Sequence, residues 1–329
     1  MAKQESQTKI LVTGGAGYIG SHCCKQLHSR GYLPVTIDNL VYGHAKNVRW
    51  GPFYDGDIGD DLLLERVFAE HDIRAVMHFA AYAYVGESVK DPRKYYTNNL
   101  GNTIALLEKV LQHAVPSFIF SSTCATYGLP QALPIDEEHP RAPINPYGRS
   151  KHMIEQILSD YSKAYDLRFT CLRYFNAAGA DPDGEIGEDH TPETHLIPLI
   201  LDVARGRRKK LEVFGSDYDT DDGSCVRDYI HVTDLAAAHV IALEKLLQGA
   251  PSDVINLGTG DGYSVLQVIE QAAAITGSPV PFEIVERRPG DPAVLIASNT
   301  KARKQLGWKP EHSDLKTIIQ TAWNWHRRT

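Results

Sequence analysis

From Lys9 onward the chain alternates short apolar runs with longer amphipathic stretches. Apolar runs of three to five residues bounded by polar turns read as strands buried on both faces, and the segments between them carry apolar residues at helical spacing. The pattern predicts strands over 10–13, 35–37, 75–79, 118–121 and 169–173, with helices over 18–30, 62–70, 95–113 and 147–165. Strands alternating with helices of that length assemble as right-handed βαβ units, which implies an α/β protein with a doubly wound parallel sheet.

After Tyr174 the texture changes. A Gly- and Asp-rich loop over 177–189 leads into a helix over 195–205 and a strand over 211–214. A second polar loop, 215–224, precedes a strand over 226–231. Strand-then-helix grammar returns with 254–257, Gly258-Thr259-Gly260 and a helix over 265–275. The expected organisation is a dinucleotide-binding domain over 1–175 and a smaller mixed α/β substrate lobe over 176–329, partly interleaved with the first domain's sheet.

Composition narrows the function classes. The 329 residues carry 41 Asp and Glu against 34 Lys and Arg, a net charge of -7, so no clustered basic surface for nucleic acid is expected. The one dense basic run, over 205–210, reads as a solvated helix end facing the negative pole of the helix, with anion binding as the other reading. Five cysteines without a C-x-x-C pair argue against a disulfide framework and a cysteine zinc site. Residues 1–9 are polar and no stretch reaches the roughly 18 apolar residues of a membrane span, so a cytoplasmic protein without membrane contact is expected. The 14 histidines show no metal-ligand spacing, and His231 reads as a hydrogen-bonded structural residue.

Candidate chemistry begins with "TGGAGYIG", where Gly14, Gly17 and Gly20 follow the first strand and open the first helix. Glycines there let the chain turn tightly and bring backbone N–H groups and a positive helix terminus against a pyrophosphate, although a tight strand-to-helix turn alone also demands glycine. The second strand ends in Asp38, 18 residues after Gly20 and placed to accept from a ribose 2′-OH. A carboxylate there repels a 2′-phosphate, which favours NAD over NADP. Asp57, followed by Ile58, reads either as an adenine contact or as an acid near a helix N-terminus.

Tyr147 and Lys151 form Y-x-x-x-K at the start of a helical pattern. The four-residue offset puts both on one helix face, where an ammonium stabilises a phenolate able to take a proton from an alcohol. Alone the pair is also a common surface coincidence. Thr123, at the end of the fourth strand and 24 residues before Tyr147, adds a hydroxyl where ligands gather in an open α/β sheet. Its other reading is a cap for the following loop.

With "TGGAGYIGSH", "IDNL", "HFAAYAYVGES", "YYTNN", "SSTCATYG", "PYGRSK", "RYFNAAGA", "VRDYIHV" and "RRPGDPA" in this order, the chain resembles the extended short-chain dehydrogenase/reductases, and within them the UDP-glucose 4-epimerase family. The resemblance implies a Rossmann-type fold. It implies that Gly14, Gly17, Tyr18, Ile19 and Gly20 hold NAD together with Asp38, Asn39, Asp57 and Ile58. Phe79, Ala80, Ala81, Asn98 and Ser121 join them, as do Tyr147, Lys151 and Tyr174. It implies that Thr123, Tyr147, Asn176, His195 and Leu196 line a nucleotide-sugar site with Arg227, Tyr229, Arg288, Asp291 and Leu295. Guanidinium groups suit a diphosphate on physical grounds as well, although nearby acids offer the two arginines ordinary ion pairs.

Three positions depart from the family pattern: Thr123 stands where Ser is frequent, Ala83 where some members have Lys, and His195 where Asn is known. The implied reaction is reversible inversion at C4 of a UDP-hexose through a 4-keto sugar, with Tyr147 as base and Thr123 and Lys151 in support, in a homodimer. UDP-glucuronate or UDP-pentose epimerisation is the alternative. A 4,6-dehydratase needs an acid and base for elimination, and Cys124-Ala125 occupies the place where related dehydratases carry Asp-Glu. A catalytically silent NAD-binding scaffold would have no use for the Tyr–Lys pair. Leu295, of intermediate size, reads either as a wall beside the sugar or as a residue facing the core.

Overall fold

The computed structural model describes residues 7–288 and 290–328; the polar stretch 1–9 therefore lies mostly outside the described residues. The apolar runs form the strands they predict, with ends shifted by up to two residues. In chain order the first half contains β1 (Lys9–Thr13), α1 (Tyr18–Ser29), β2 (Leu33–Asp38), β3 (Phe53–Asp55), α2 (Asp61–Glu70), β4 (Ile73–His78), α3 (Val85–Lys90), α4 (Pro92–Tyr95), α5 (Asn102–Gln112), β5 (Ser117–Thr123), α6 (Pro146–Ala164) and β6 (Arg168–Tyr174). The second half contains β7 (Asn176–Ala178), α7 (Leu196–Ala204), β8 (Leu211–Phe214), β9 (Val226–Arg227), β10 (Tyr229–His231), α8 (Val232–Leu247), β11 (Asp253–Leu257), β12 (Tyr263–Ser264), α9 (Val265–Thr276), β13 (Phe282–Val285), β14 (Val294–Leu295) and α10 (Leu315–His326).

Seven strands form one sheet in the order β11-β6-β5-β4-β1-β2-β3. The order runs outward from β1 in both directions, which is the doubly wound arrangement, and its reversal point lies between β1 and β4. Parallel register pairs Thr13 with Ile37 on one side and with His78 on the other. Both faces are covered, so every residue of β5 is buried.

Two predicted elements are broken in the structure. The helix expected over 95–113 contains a π-helical turn, Tyr96–Gly101, between α4 and α5. There the Asn99 side chain leaves the helix to bond the Tyr82 backbone twice, accepting from its N–H at 2.9 Å and donating to its carbonyl at 2.9 Å. The strand expected over 226–231 divides into β9 and β10 around Asp228, whose carboxylate turns inward. Helices α3, α8 and α10 and strands β3, β7, β12 and β13 have no counterpart in the sequence reading.

The chain divides into two compact units whose segments interleave along the sequence. One compact unit comprises 1–122, 145–172 and 236–254; the other comprises 123–144, 173–235 and 255–329. The chain passes from the first unit to the second after Ser122 in β5, after Leu172 in β6 and after Val254 in β11. The first unit's core joins Leu11, Ile37, Val76, Phe118, Phe120 and Leu158 across sheet and helices. The second unit's core joins α7, α9 and α10 through Ile200, Val268 and Ile319, with Val213 and Tyr229 from its strands. Among the described residues no helix is long and apolar enough to cross a membrane.

Candidate functional site

In the first unit, β1 ends at Thr13 and the chain turns through Gly14, whose φ of +74° is open to glycine. A Cβ on Gly14 would stand 2.6 Å from the Ala80 nitrogen, and one on Gly20 would stand 2.2 Å from the Gly14 carbonyl oxygen. These two glycines are demanded by the fold itself. Gly17 differs: its Cβ would meet only the Gly14 oxygen, at 3.3 Å. It is the N-cap of α1, makes no side-chain cap and is followed by no acid in the first turn, so the positive end of α1 is left for an anion.

Asp38, at the end of β2, is buried and accepts from the Ala16 and Leu40 amides at 3.0 and 2.9 Å. Burial raises its pKa against the pull of those two N–H groups. The Gly17 amide pulls the same way, so three backbone N–H groups face this carboxylate. Asp57 accepts from Asn39 Nδ2, the Gly59 amide and Asn102 Nδ2, all at 2.8 Å. The N-cap of α2 is Asp60, three residues after Asp57. Ile58 is buried and Tyr18 packs edge-on against His22. The Phe79 and Ala80 amides both donate to the Thr13 carbonyl, which ties the end of β4 to the glycine turn. Asn98 lies on the π-helical turn beside an open cleft of about 570 Å³ lined by Tyr82, Arg93, Lys94 and Asn102. Ile19, Ala81 and Tyr174 are partly exposed, and Asn39 is exposed.

Helix α6 begins as its sequence dictates: Asn145 caps the Gly148 amide at 2.8 Å and Pro146 occupies the first turn. Tyr147 is half-buried with its ring edge-on to Tyr95, 6.5 Å between centroids. One turn on, Lys151 is 3% exposed; its Nζ donates to the Ser121 carbonyl at 2.8 Å and lies 4.8 Å above the Phe120 ring. Burial pushes this lysine down to about 7. The neighbouring Ser122 hydroxyl donates to Glu155 at 2.6 Å, a buried tie between β5 and α6 that the sequence reading passed over. Thr123 Oγ1 accepts from the Ala125 amide at 3.1 Å, as the capping reading foresaw, and its hydroxyl also bonds the neighbouring Cys124 thiol.

In the second unit, Arg227 sits in the central strand of a three-stranded sheet, flanked in register by Tyr263 and Leu295. Its guanidinium donates to Asp291 in a short ion pair and to the Val226 carbonyl at 2.8 Å. Asp291 thus holds Arg227, besides the ribose expected at it from the sequence. Arg288 is exposed, with its guanidinium 3.9 Å above the Phe214 ring centroid. Leu295 is half-buried against Tyr127, Ile135, Phe175 and Ala297. Asn176 donates through its side chain to the Asp228 carbonyl at 2.9 Å, and Tyr229 packs in the core. His231 accepts from the Thr233 amide and meets Thr321 Oγ1 at 2.9 Å, a structural role as expected.

The Gly258-Thr259-Gly260 turn holds a carboxylate of the protein. Buried Asp228 accepts from the amides of Thr259, Gly260 and Ala297 and from the Thr259 hydroxyl. Burial nonetheless raises it to about 6. His195 is the N-cap residue of α7, immediately before Leu196, and its ring meets Glu188 in a short contact. Glu188, His190, Glu193 and His195 gather their ligand atoms within 4.8 Å of one another, a grouping the histidine spacing did not disclose. Although burial alone would raise it, Glu188 is held down to about 2 by His195 and His190.

Residues 10–258 match the family model described as "NAD dependent epimerase/dehydratase family". The chain is 55% identical over 319 residues to the UDP-glucose 4-epimerase of Rhizobium meliloti (strain 1021), covering 97% of each chain. It is 54% identical over 320 residues to that of Rhizobium leguminosarum bv. trifolii, covering 97% of this chain and 98% of the other. Among solved structures it is similar to UDP-glucose 4-epimerase from Brucella ovis in complex with NAD, with a TM-score of 0.94 and 52% identity over 96% of this chain and 97% of that one. It is also similar to the UDP-Glc/GlcNAc 4-epimerase of Campylobacter jejuni, with a TM-score of 0.86 and 43% identity over 98% and 100% of the two chains.

Proposed function

The chain belongs to the NAD dependent epimerase/dehydratase family, and from that premise we propose that it interconverts UDP-glucose and UDP-galactose by inversion at C4. The observation that carries the reading is Lys151, a cation buried one helical turn from Tyr147 and pinned to the Ser121 carbonyl. Desolvating an ammonium is costly, and a phenolate one turn away on the same face is the charge that offsets it. Tyr147 is then the base that takes the 4-OH proton and later returns it, with Thr123 donating its hydroxyl to the reacting oxygen.

The glycine turn fits a dinucleotide because the two crowded glycines close the backbone and Gly17 leaves the helix terminus clear. NAD is the cofactor; when bound it accepts hydride from C4 and gives it back. Gly17 and the α1 amides hold its pyrophosphate, and Asp38 accepts from its adenosine ribose. Asn39, Asp57 and Ile58 lie at the adenine, and Phe79, Ala80, Ala81, Asn98 and Tyr174 complete the set. A 4-keto sugar that must present its other face requires the nucleotide to stay anchored, so binding energy belongs on the diphosphate and uridine. In this reading Arg288, stacked over Phe214, and Arg227 supply the cations, and Asn176, His195 and Leu196 line the same site.

The homodimer is supported by exposed Ile104 on α5 and Met153 on α6, apolar side chains on the helices assigned to a four-helix interface. Light scattering of the Ile104→Lys, Met153→Lys double variant tests it: a dimer that persists unchanged removes those helices from the interface. For the activity, purified protein is given UDP-galactose without added NADH. UDP-glucose is expected to form with no stoichiometric NADH; accumulation of NADH would make the protein a net dehydrogenase instead.

A further inference from the structure

We infer that Glu155 is a positioning residue of the proposed reaction: its carboxylate is the standing countercharge that keeps Lys151 an ammonium once Tyr147 has taken the substrate proton. The inference rests on the epimerase reading and adds a third member to the Tyr147–Lys151 face of α6. Tyr147, Lys151 and Glu155 recur every four positions, so one helix face carries all three.

Consecutive residues of β5 hold the two charges. The Ser121 carbonyl accepts from Lys151 Nζ at 2.8 Å, and the Ser122 hydroxyl donates to Glu155 Oε1 at 2.6 Å. The second distance is that of a hydroxyl bonded to an ionised carboxylate, about 2.5–2.7 Å. Lys151 is 3% exposed and Glu155 5%, so water screens neither group and the charges act on each other at low dielectric.

The titratable groups around the pair leave Glu155 as the lasting anion. On α6, Tyr147 is negative only until it takes a proton, and His152, whose Nδ1 lies 3.8 Å from Glu155 Oε2, is either neutral or positive. On β6, buried Cys171 is a thiol, and a thiol is uncharged at neutral pH at its ordinary value of about 8.5. On β4, His78 is pushed down to about 3, first by burial and then by Lys151, and is a neutral imidazole. Burial lowers Lys151, Cys171 and Glu155 pull the other way, and the balance stands at about 7.

That balance governs the return of the proton. When the proton passes from the 4-OH oxygen to the Tyr147 oxygen, the O–H bond of the alcohol breaks, that of the phenol forms and the phenolate charge is gone. Lys151 then has Glu155 alone to offset its charge. Without that carboxylate the ammonium gives up its proton near neutral pH. The phenol that must hand its proton back to the sugar then loses the cation that stabilises the resulting phenolate.

Two substitutions separate the charge from the tie between β5 and α6. Glu155→Gln removes the charge and keeps an oxygen that accepts from Ser122; Ser122→Ala removes the tie and keeps the charge. In Glu155→Gln both limbs of the pH profile of kcat for UDP-galactose are expected to move to lower pH. The alkaline limb moves by at least about one pH unit, since a nearby opposite charge shifts a pKa by about 1–3. On that limb kcat falls about tenfold while KM stays that of the parent. In Ser122→Ala, and in the shorter but charged Glu155→Asp, the limbs are expected to stay at the parent's pH while Tm falls.

NMR of the cofactor-free protein carrying isotope-labelled lysine, with Lys151 assigned through Lys151→Arg, reads the pairing without turnover. Lys151 is expected to titrate at lower pH in Glu155→Gln, by at least about one pH unit. A parent that does not epimerise UDP-galactose sinks the inference together with the reading beneath it. With an active parent, limbs and a Lys151 titration that coincide in Glu155→Gln and parent overturn the inference alone. Limbs that move as far in Ser122→Ala or Glu155→Asp also overturn it and reduce Glu155 to a strut between β5 and α6.

Discussion

The Nζ of Lys151 donates to the carbonyl of Ser121 across 2.8 Å, so the cation on α6 is anchored to the last turnless stretch of β5. The bond ties the Tyr147–Lys151 face of α6 to β5. It also places a charge where the protein environment opposes it, since burial lowers the lysine to about 7 from a free value of about 10.5.

The sign of the resulting pH dependence follows from proton counting. Between about pH 7 and pH 10.5 the unfolded chain binds a proton at this position that the folded chain has given up, so stability rises with pH through that window. Below pH 7 the cost is fully present. Lys151→Met is therefore expected to stabilise the cofactor-free protein at pH 7 by on the order of 2–4 kcal/mol, while abolishing most turnover, and the gain is expected to shrink toward pH 10. Urea unfolding at the two pH values measures it; an unchanged or lower stability of the variant at pH 7 contradicts the assignment.

Tyr147→Phe keeps the ring against Tyr95 and removes only the hydroxyl. Folding and cofactor binding are expected to persist while turnover falls by about two to four orders of magnitude. Near-normal turnover would remove Tyr147 from the chemistry.

The three glycines of the β1–α1 turn separate by their surroundings. Gly20→Ala drives a Cβ to 2.2 Å from the Gly14 carbonyl and is expected to destabilise the fold by about 2–4 kcal/mol. At Gly17 the φ is -77° and the only contact is at 3.3 Å, so Gly17→Ala is expected to keep the parent's Tm and lose at least about tenfold in NAD affinity, through the close approach of the pyrophosphate. Calorimetric titration with NAD beside thermal melts distinguishes the two, and equal affinities for Gly17→Ala and parent would show that no phosphate comes there.

Asp228 offers a stability test away from any chemistry. Asp228→Ala strands the buried amides of Thr259 and Ala297 and is expected to cost about 3–5 kcal/mol. Chemical unfolding followed by circular dichroism measures this, and a loss below about 1 kcal/mol would mean that the Gly258–Gly260 turn holds itself.

Leu295 stands beside Arg227 across β14 and β9, half-buried against Phe175 and Ala297. An apolar branch gives a 2-acetamido group no hydrogen-bond partner, and an unpaired polar group costs about 1–3 kcal/mol. The expected outcome is preference for UDP-galactose over UDP-N-acetylgalactosamine, with the ratio of kcat/KM narrowed in Leu295→Ser. A ratio unmoved by that substitution would mean that Leu295 faces only the core.

Periodicity and backbone chemistry were legible from residues alone. The strands buried on both faces announce themselves as continuous apolar runs. The glycine turn after β1, the acid ending β2, the Asn145-Pro146 start of α6 and the Tyr147–Lys151 offset are all local, and local geometry is what spacing encodes. What only the tertiary structure decided depends on partners distant in sequence. Asn99 breaks its helix because Tyr82 is there to bond, and Asp228 breaks its strand because Thr259 and Ala297 bring amides to it. Arg227 meets Asp291 across 64 residues. The ring of Glu188, His190, Glu193 and His195 lies within eight residues, yet no helical or strand period predicts it, because an irregular loop held by Trp325 sets the positions of its side chains.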